Sequence, residues 1–236
     1  MAKKNCVHLL GHVGKFVEAE EGRLFFTIKI RKNKNKFVYP VVEFSTKKFP
    51  NWVDLSSGKM VIIEGTIKTE DKEVLIDCPQ CARRYIEKQV NTTVVAQKMF
   101  VVDSRTEESY INKVMLLGTV CKEVDFKYIK STYSDVANMK YQMAVNAKEV
   151  NVSNYPWVST FARQAEEDQK RLQVGSQIMV EGELITRYVN KEYTCECGEI
   201  IKSSHGQTEV SGTAIEYLNN CKFDKKMDGV DKAHIL

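Results

Sequence analysis

Four cysteines stand where they could share one metal ion. They form two close pairs, Cys78 and Cys81 in CPQC and Cys195 and Cys197 in CEC. The thiolate is the metal-binding form of cysteine, and four of them make the closed tetrahedral shell of a structural Zn²⁺ site. Each pair follows a glycine at the same distance, Gly65 to Cys78 and Gly182 to Cys195, 13 residues in both cases. The matched spacing predicts two equivalent loops that converge, with Zn²⁺ as the cofactor. The competing reading is free cytosolic thiols on flexible loops, since C-x-C is a rarer ligand spacing than C-x-x-C. The chain has seven cysteines, an odd number in a long chain, which argues against a secreted disulfide framework. Cys6, Cys121 and Cys221 read as ordinary strand or tail residues.

A second chemistry is non-covalent. Alternation in LFFTIKIR puts Phe26, Ile28 and Ile30 on one face and Phe25, Lys29 and Arg31 on the other. The loop RKNKNK adds Lys32, Lys34 and Lys36, and Phe37 and Tyr39 follow. A basic groove with aromatic faces is what holds a single-stranded nucleic acid, because phosphates take the cations and bases stack on the rings. The bland alternative is a solvated hairpin tip with Phe37 and Tyr39 in the core. The second half offers Phe126, Lys127, Tyr128, Lys130 and Tyr133, then Arg187, Tyr188, Lys191 and Tyr193. It also presents Lys140, Gln142 and Asn146 beside core candidates Tyr141 and Met143. Trp52 is read as core, and Trp157 either plugs the barrel, the favoured reading, or stacks a base. No phosphate-loop, H-E-x-x-H or deaminase H-x-E pattern occurs, so no catalysis is expected.

These residues need strands to position them, and the strands repeat. N-x-V-x-L-L-G-x-V occurs at 5–13 and at 112–120. GKMVIIEGTI at 58–67 matches GSQIMVEGEL at 175–184, and Tyr39-Pro40 matches Tyr155-Pro156. Three matches in order mark a duplicated module. Strands are predicted at 5–13, 24–31, 37–45, 60–68 and 92–102, with a short helix at most in FPNWVDLSSG. The second set is 112–121, 139–146, 155–161, 177–188 and 208–218, with a helix over 158–173 that buries Phe161, Ala165 and Leu172 and stops at Gly175. Five strands with a helix between the third and fourth is the OB layout. The predicted fold class is therefore all-β: two tandem five-stranded OB-fold barrels, with no sheet running from one to the other. The modules are 1–105 and 106–218, divided in Asp103–Ser109, with a polar tail at 219–236.

Charge divides the same way. Residues 1–105 carry 19 Lys/Arg against 12 Asp/Glu, and residues 106–236 carry 16 against 19. The first half is the better polyanion binder. No apolar run reaches membrane-helix length and the N-terminus lacks a signal-peptide pattern, so a soluble cytoplasmic protein without a membrane partner is expected.

The repeated Asn-to-Val segments, together with FARQAE at 161–166 and LQVGSQIMVEGELITR at 172–187, resemble the bacterial single-stranded DNA-binding protein family. The resemblance implies an OB barrel and sequence-tolerant coating of single-stranded DNA in replication, recombination and repair. The family usually carries one OB domain per chain in a tetramer, so two domains imply a homodimer with four modules. The family's acidic C-terminal tip is replaced here by a mixed-charge end, NNCKFDKKMDGVDKAHIL, which removes the basis for partner recruitment through it. The tandem form and the missing tip suit a phage or mobile-element protein acting in host cytoplasm. RNA is the alternative ligand, separable only through a 2′-hydroxyl contact. A structural or recruitment subunit is the reading from another class.

Overall fold

The structure, a computed structural model, describes residues 4–20, 22–33, 35–50, 55–102, 110–130, 134–146 and 152–222. Lys34, Trp52 with most of the short helix expected around it, Tyr133, the boundary at Asp103–Ser109 and the tail beyond Lys222 lie outside the described residues.

The first half closes a ring of five strands. β1 (Asn5–Glu20) pairs antiparallel with β2 (Arg23–Asn33), which pairs with β4 (Val41–Ser45). β4 runs parallel to β6 (Arg84–Val102), β6 pairs with β5 (Met60–Asp77), and β5 returns to β1. The strand expected over 37–45 is divided, leaving β3 (Lys36–Val38) as an extra ribbon on β2. Pro40 divides it, because proline has no N–H for the ladder; its carbonyl accepts the Ile28 N–H at 3.0 Å. Phe26, Ile28 and Ile30 point inward and are fully buried, as their alternation predicts.

The second half repeats the ring with β7 (Ile111–Val120), β9 (Val136–Asn146), β11 (Trp157–Phe161), β13 (Ile200–Asn219) and β12 (Gln177–Thr194). Its parallel pair is β11 with β13, and β12 closes onto β7. The Met143 N–H reaches the Pro156 carbonyl at 3.1 Å, the counterpart of Ile28 and Pro40. β8 (Asp125–Ile129) and β10 (Ser153–Asn154) border β9. Phe126, Lys127 and Tyr128, which fall outside the expected strands, thus lie on a strand of their own. Helix α1 (Ala162–Arg171) is shorter than its expected 158–173, because 157–161 is committed to β11. Ala165 and Leu172 are buried beneath it, and Gly175 leaves at φ 93°, a conformation suited to glycine. Strands dominate, with one helix among the described residues, so the all-β expectation holds.

The expected separation of the halves does not hold. β1 and β7 pair antiparallel, Asn5 opposite Leu116 and Leu9 opposite Asn112, so one hydrogen-bonded sheet runs through both rings. The reason lies in strand edges. β1 uses one edge for β5, but β2 covers its other edge only from His12 onward. The uncovered first half would expose unpaired backbone groups, and the equivalent edge of β7 covers it. Val7 faces Val114, the residue 107 positions on that matches it in the repeat, so a pseudo-two-fold axis passes between them.

The repeated residues have specific tasks. The Asn5 carboxamide donates to the Ile67 carbonyl at 2.9 Å and accepts the Ile67 N–H at 2.8 Å; Asn112 does the same with Leu184 at 2.8 and 2.9 Å. Each asparagine pins β5 or β12 where the hairpin leaves the ring. Gly11 and Gly118 are fixed by close approach: an added Cβ would lie 2.5 Å from the Lys29 or Ala144 carbonyl oxygen.

Candidate nucleic-acid interface

On the outer face of β2 and β3, Lys29 Nζ lies 4.3 Å from the centroid of the Phe37 ring. Arg31 and Lys36 are exposed beside it, and neither they nor Lys29 has a carboxylate partner among the described residues. Lys32 reaches Glu183 of the other half at 3.7 Å. Phe37 is half-buried, and Tyr39 is 45% exposed. Phe25 lines a cavity of about 400 Å³ with Val41, Lys72, Thr92 and Gln207. Lys29, Arg31 and Phe37 thus share one surface, with Arg31 opposite Phe37 in the β2–β3 register.

The second half places its cations differently. Glu209, fully buried, holds Lys140 on one oxygen and Arg187 at 3.5 Å on the other, and Ser159 donates to it at 3.2 Å. The Arg187 guanidinium lies 5.2 Å from the Phe161 ring. Lys191 is paired with buried Glu87 at 3.1 Å, and Tyr193 packs against the cysteines. Arg187, Lys191 and Tyr193 are therefore half-buried and engaged by the protein's own groups, while Tyr188 is 78% exposed. Gln142 is buried, donating to the Tyr155 carbonyl at 2.9 Å, and Asn146 is exposed. Tyr141 and Met143 are core, as expected. Phe126 and Tyr128 meet edge to face at 5.4 Å on β8, with Lys127 on Asp125 at 3.2 Å and Lys130 exposed.

Trp157 is not core. It is half-buried, with Lys140 at 4.8 Å and Lys122 at 5.6 Å from its ring. Its strand presents it beside Gln142, on the face of β9 opposite the core residues Tyr141 and Met143. Lys122 was not legible as part of this group, because it lies between strands and carries no alternation signal.

The largest surprise is reach. Beyond the rings, Glu70–Asp77 pairs only with Arg84–Asn91, and Arg187–Thr194 only with Ile200–Gln207, eight registers in each arm. The arms cross to the opposite half. The Tyr155 N–H donates to Thr69 Oγ1 at 2.7 Å, and the Tyr39 N–H donates to Thr186 Oγ1 at 3.3 Å. Leu75 and Ile86 face each other on the first arm, both more than half exposed. They add apolar surface that TEDKEVLID, mostly charged, conceals.

The arm tips bring all four cysteines together. Their sulfurs lie within 4.8 Å of one another, with Cys78 to Cys197 at 3.7 Å and Cys81 to Cys195 at 3.5 Å. Four sulfurs about 2.3 Å from a central Zn²⁺ would be separated by roughly 3.8 Å, so the cluster fits. The two turns are one design with a residue removed. Cys81 precedes Ala82 (φ 55°) and Cys197 precedes Gly198 (φ 89°), and Cys78 and Cys195 close their loops onto Arg83 and Glu199. C-x-C is the shortened form of C-x-x-C here. The Tyr85 hydroxyl and the Cys197 backbone pull the Cys195 thiol down to about 6. Cys197 is pushed up to about 12: the Glu199 backbone favours its thiolate, but neighbouring Cys195 and Cys81 outweigh that. Adjacent thiolates repel, and a divalent cation between them would remove the repulsion.

Between tips and rings the arms share a buried carboxylate. Glu87 takes a hydrogen bond from Ser203 at 2.6 Å and faces Lys191 at 3.1 Å and His205 at 3.3 Å. Burial alone would raise its pKa; Ser203 and Lys191 overcome this and hold it below the usual carboxylate range.

Five-strand rings with cationic and aromatic outer faces define a class, the OB-type nucleic-acid binders. The single-strand binding protein family model matches residues 111–210. The single-stranded DNA-binding protein of Onion yellows phytoplasma (strain OY-M) is 34% identical over 83 residues, 35% of this chain and 78% of that protein. The chain belongs to the single-strand binding protein family. The crystal structure of the wild-type single-stranded DNA binding protein from Thermus aquaticus is similar to it across both halves. It has a TM-score of 0.63 and 18% identity, and the match covers 94% of this chain and 97% of that one. A deletion variant of the same protein gives a TM-score of 0.64 at 18% identity, with 94% and 98% covered.

Proposed function

We propose that this chain binds single-stranded DNA without altering it chemically and covers it during replication, recombination or repair. The observation that carries this reading is the β2–β3 face, where Lys29, Arg31 and Lys36 lack carboxylate partners among the described residues and flank Phe37. Phosphates take the cations, and bases stack on Phe37, Tyr39 and Phe25 in the first half and on Trp157, Phe126, Tyr128 and Tyr188 in the second. Residues 1–105 and 106–218 act as tandem OB modules, with 219–236 as a tail. The chain works in the cytoplasm as a homodimer presenting four modules. Cys78, Cys81, Cys195 and Cys197 hold one Zn²⁺ in a closed, structural shell. The family assignment supports the ligand class.

The test is competition between DNA and RNA oligonucleotides of one sequence in a fluorescence titration. Preference for DNA is the expected result. Preference for RNA would make the protein an RNA-binding regulator, and binding to neither would make it a structural or recruitment subunit.

A further inference from the structure

We propose, on the reading that the four cysteines bind Zn²⁺, that this metal sets the protein's grip on a single strand by locking each module's arm against the other module. Each arm pairs with no other strand over eight registers, a reach of about 26 Å at strand geometry. A two-stranded ribbon is marginally stable alone. Yet these ribbons form groove walls. The Phe25 cavity is lined by Lys72 and Thr92 of the first arm and its base and by Gln207 of the second. A cavity of about 440 Å³ in the second half is lined by Asp71 and Val90 of the first arm together with Lys122 and Tyr155. Thr69 and Thr186 mark where each arm touches the opposite half.

Apart from the cysteines, the far ends are held by an exposed ion pair, Arg83 with Glu196, and by a small core. The core at the tips consists of Cys78, Cys195 and Ile201, with Ile76, Tyr85 and Tyr193 partly buried around it. Half of the metal ligands are themselves that core. Nearer the rings, Glu87 with Ser203, Lys191 and His205 links the arms again, and Lys191 also donates to the Lys88 carbonyl at 3.3 Å. A tetrathiolate centre contributes folding free energy directly, and here it acts on the walls rather than the rings. With the metal bound, the walls are set before the strand arrives. Without it, the strand must order them, and that ordering cost subtracts from affinity. The coupling is reciprocal: whatever factor the metal adds to DNA affinity, DNA adds to metal affinity.

The experiment uses the full chain and a labelled oligo-dT. Metal content is measured by mass spectrometry. Anisotropy then gives affinity for protein as purified, stripped with a thiol-reactive mercurial and chelator, and reloaded with Zn²⁺. Circular dichroism follows the rings. A chromogenic chelator measures zinc affinity with and without the oligonucleotide, which requires no stripped protein. The expected result is about one Zn²⁺ per chain, roughly tenfold or greater weakening on removal, recovery on reloading, and tighter zinc in the presence of DNA by the same factor. Cys81→Ser, at an exposed ligand, should show a smaller loss in the same direction. One zinc per chain with unchanged DNA affinity and unchanged zinc affinity would overturn the proposal and leave the metal site standing. Absence of any bound metal would remove the site and the proposal together. Failure of the zinc-loaded protein to bind oligo-dT would instead remove the proposed function.

Discussion

The two halves share a ring and differ in what their cations do. In the first half Lys29, Arg31 and Lys36 lie beside Phe37 with no acidic partner among the described residues, and Glu43 takes Arg23 and Lys68 at 3.3 and 3.2 Å on another strand. In the second half the strand equivalent to β2 contributes Lys140, and buried Glu209 claims both it and Arg187. A lysine count alone would rate the halves by number; partnership rates them by availability. The duplication preserved the residues that build the ring and let the outer face diverge, leaving one half with free cations and the other with a cation-flanked tryptophan.

The comparison breaks first at the paired cations. Lys140→Met leaves Glu209 buried with one partner fewer and should cost about 2–3 kcal/mol of stability in chemical denaturation. Arg31→Gln, exposed and held only by a 3.4 Å hydrogen bond to the Asn33 carbonyl, should stay within about 0.5 kcal/mol of wild type. Equal destabilisation would erase the distinction. The same variants should reverse order in DNA binding, where Arg31→Gln weakens affinity and flattens the salt dependence, since released counterions come from free cations.

Ring stacking sharpens the comparison next. Phe37→Ala and Trp157→Ala should each weaken single-strand binding by about 1–3 kcal/mol if both halves stack bases. A loss in Phe37→Ala alone would confine binding to the first half. Unfolding of either variant would assign that ring to packing.

Acid acts in opposite directions on two buried carboxylates. Burial raises Asp168, against Thr160 at 2.6 Å, Tyr217 at 2.6 Å and Gln164 at 3.0 Å, which all donate to it. A raised folded pKa favours the fold below the unfolded value of 3.8 and is lost as pH rises through the folded pKa. Glu87 is lowered, so its contribution is present above 4.5 and is lost as pH falls through its folded pKa. On acidification below 4.5, hydrogen-exchange protection should fall in the arms around Ser203 before it falls at the helix. Simultaneous loss would show that the arms are not a separate unit.

The smallest difference lies at the tips. Ala82 has φ 55° where Gly198 has φ 89°. Ala82→Gly should stabilise by up to about 1 kcal/mol, and Gly198→Ala should destabilise by about as much, read from thermal melts.

Much of this was legible from the chain. The repeat gave the ring twice, because Asn5, Gly11 and Gly65 and their matches Asn112, Gly118 and Gly182 occupy positions where hydrogen bonds or close approach leave few alternatives. The equal glycine-to-cysteine spacing placed the four thiols together, since the two arms have equal length. The joining of β1 to β7 was hidden because a strand's free edge is a property of its neighbours. Glu209 was hidden because a glutamate between Thr208 and Val210 reads as a surface residue, and only the parallel packing of β11 on β13 buries it. The polar arms continued past the expected strand ends because they are half solvated and show little apolar alternation.

The most direct measurement of the central claim is a titration of one labelled DNA sequence, as single strand and as duplex, across a range of salt. The account predicts that the single strand binds at least roughly tenfold more tightly, with affinity falling steeply and linearly in log salt. Equal affinity for the two forms, or affinity for the single strand that ignores salt, would contradict it.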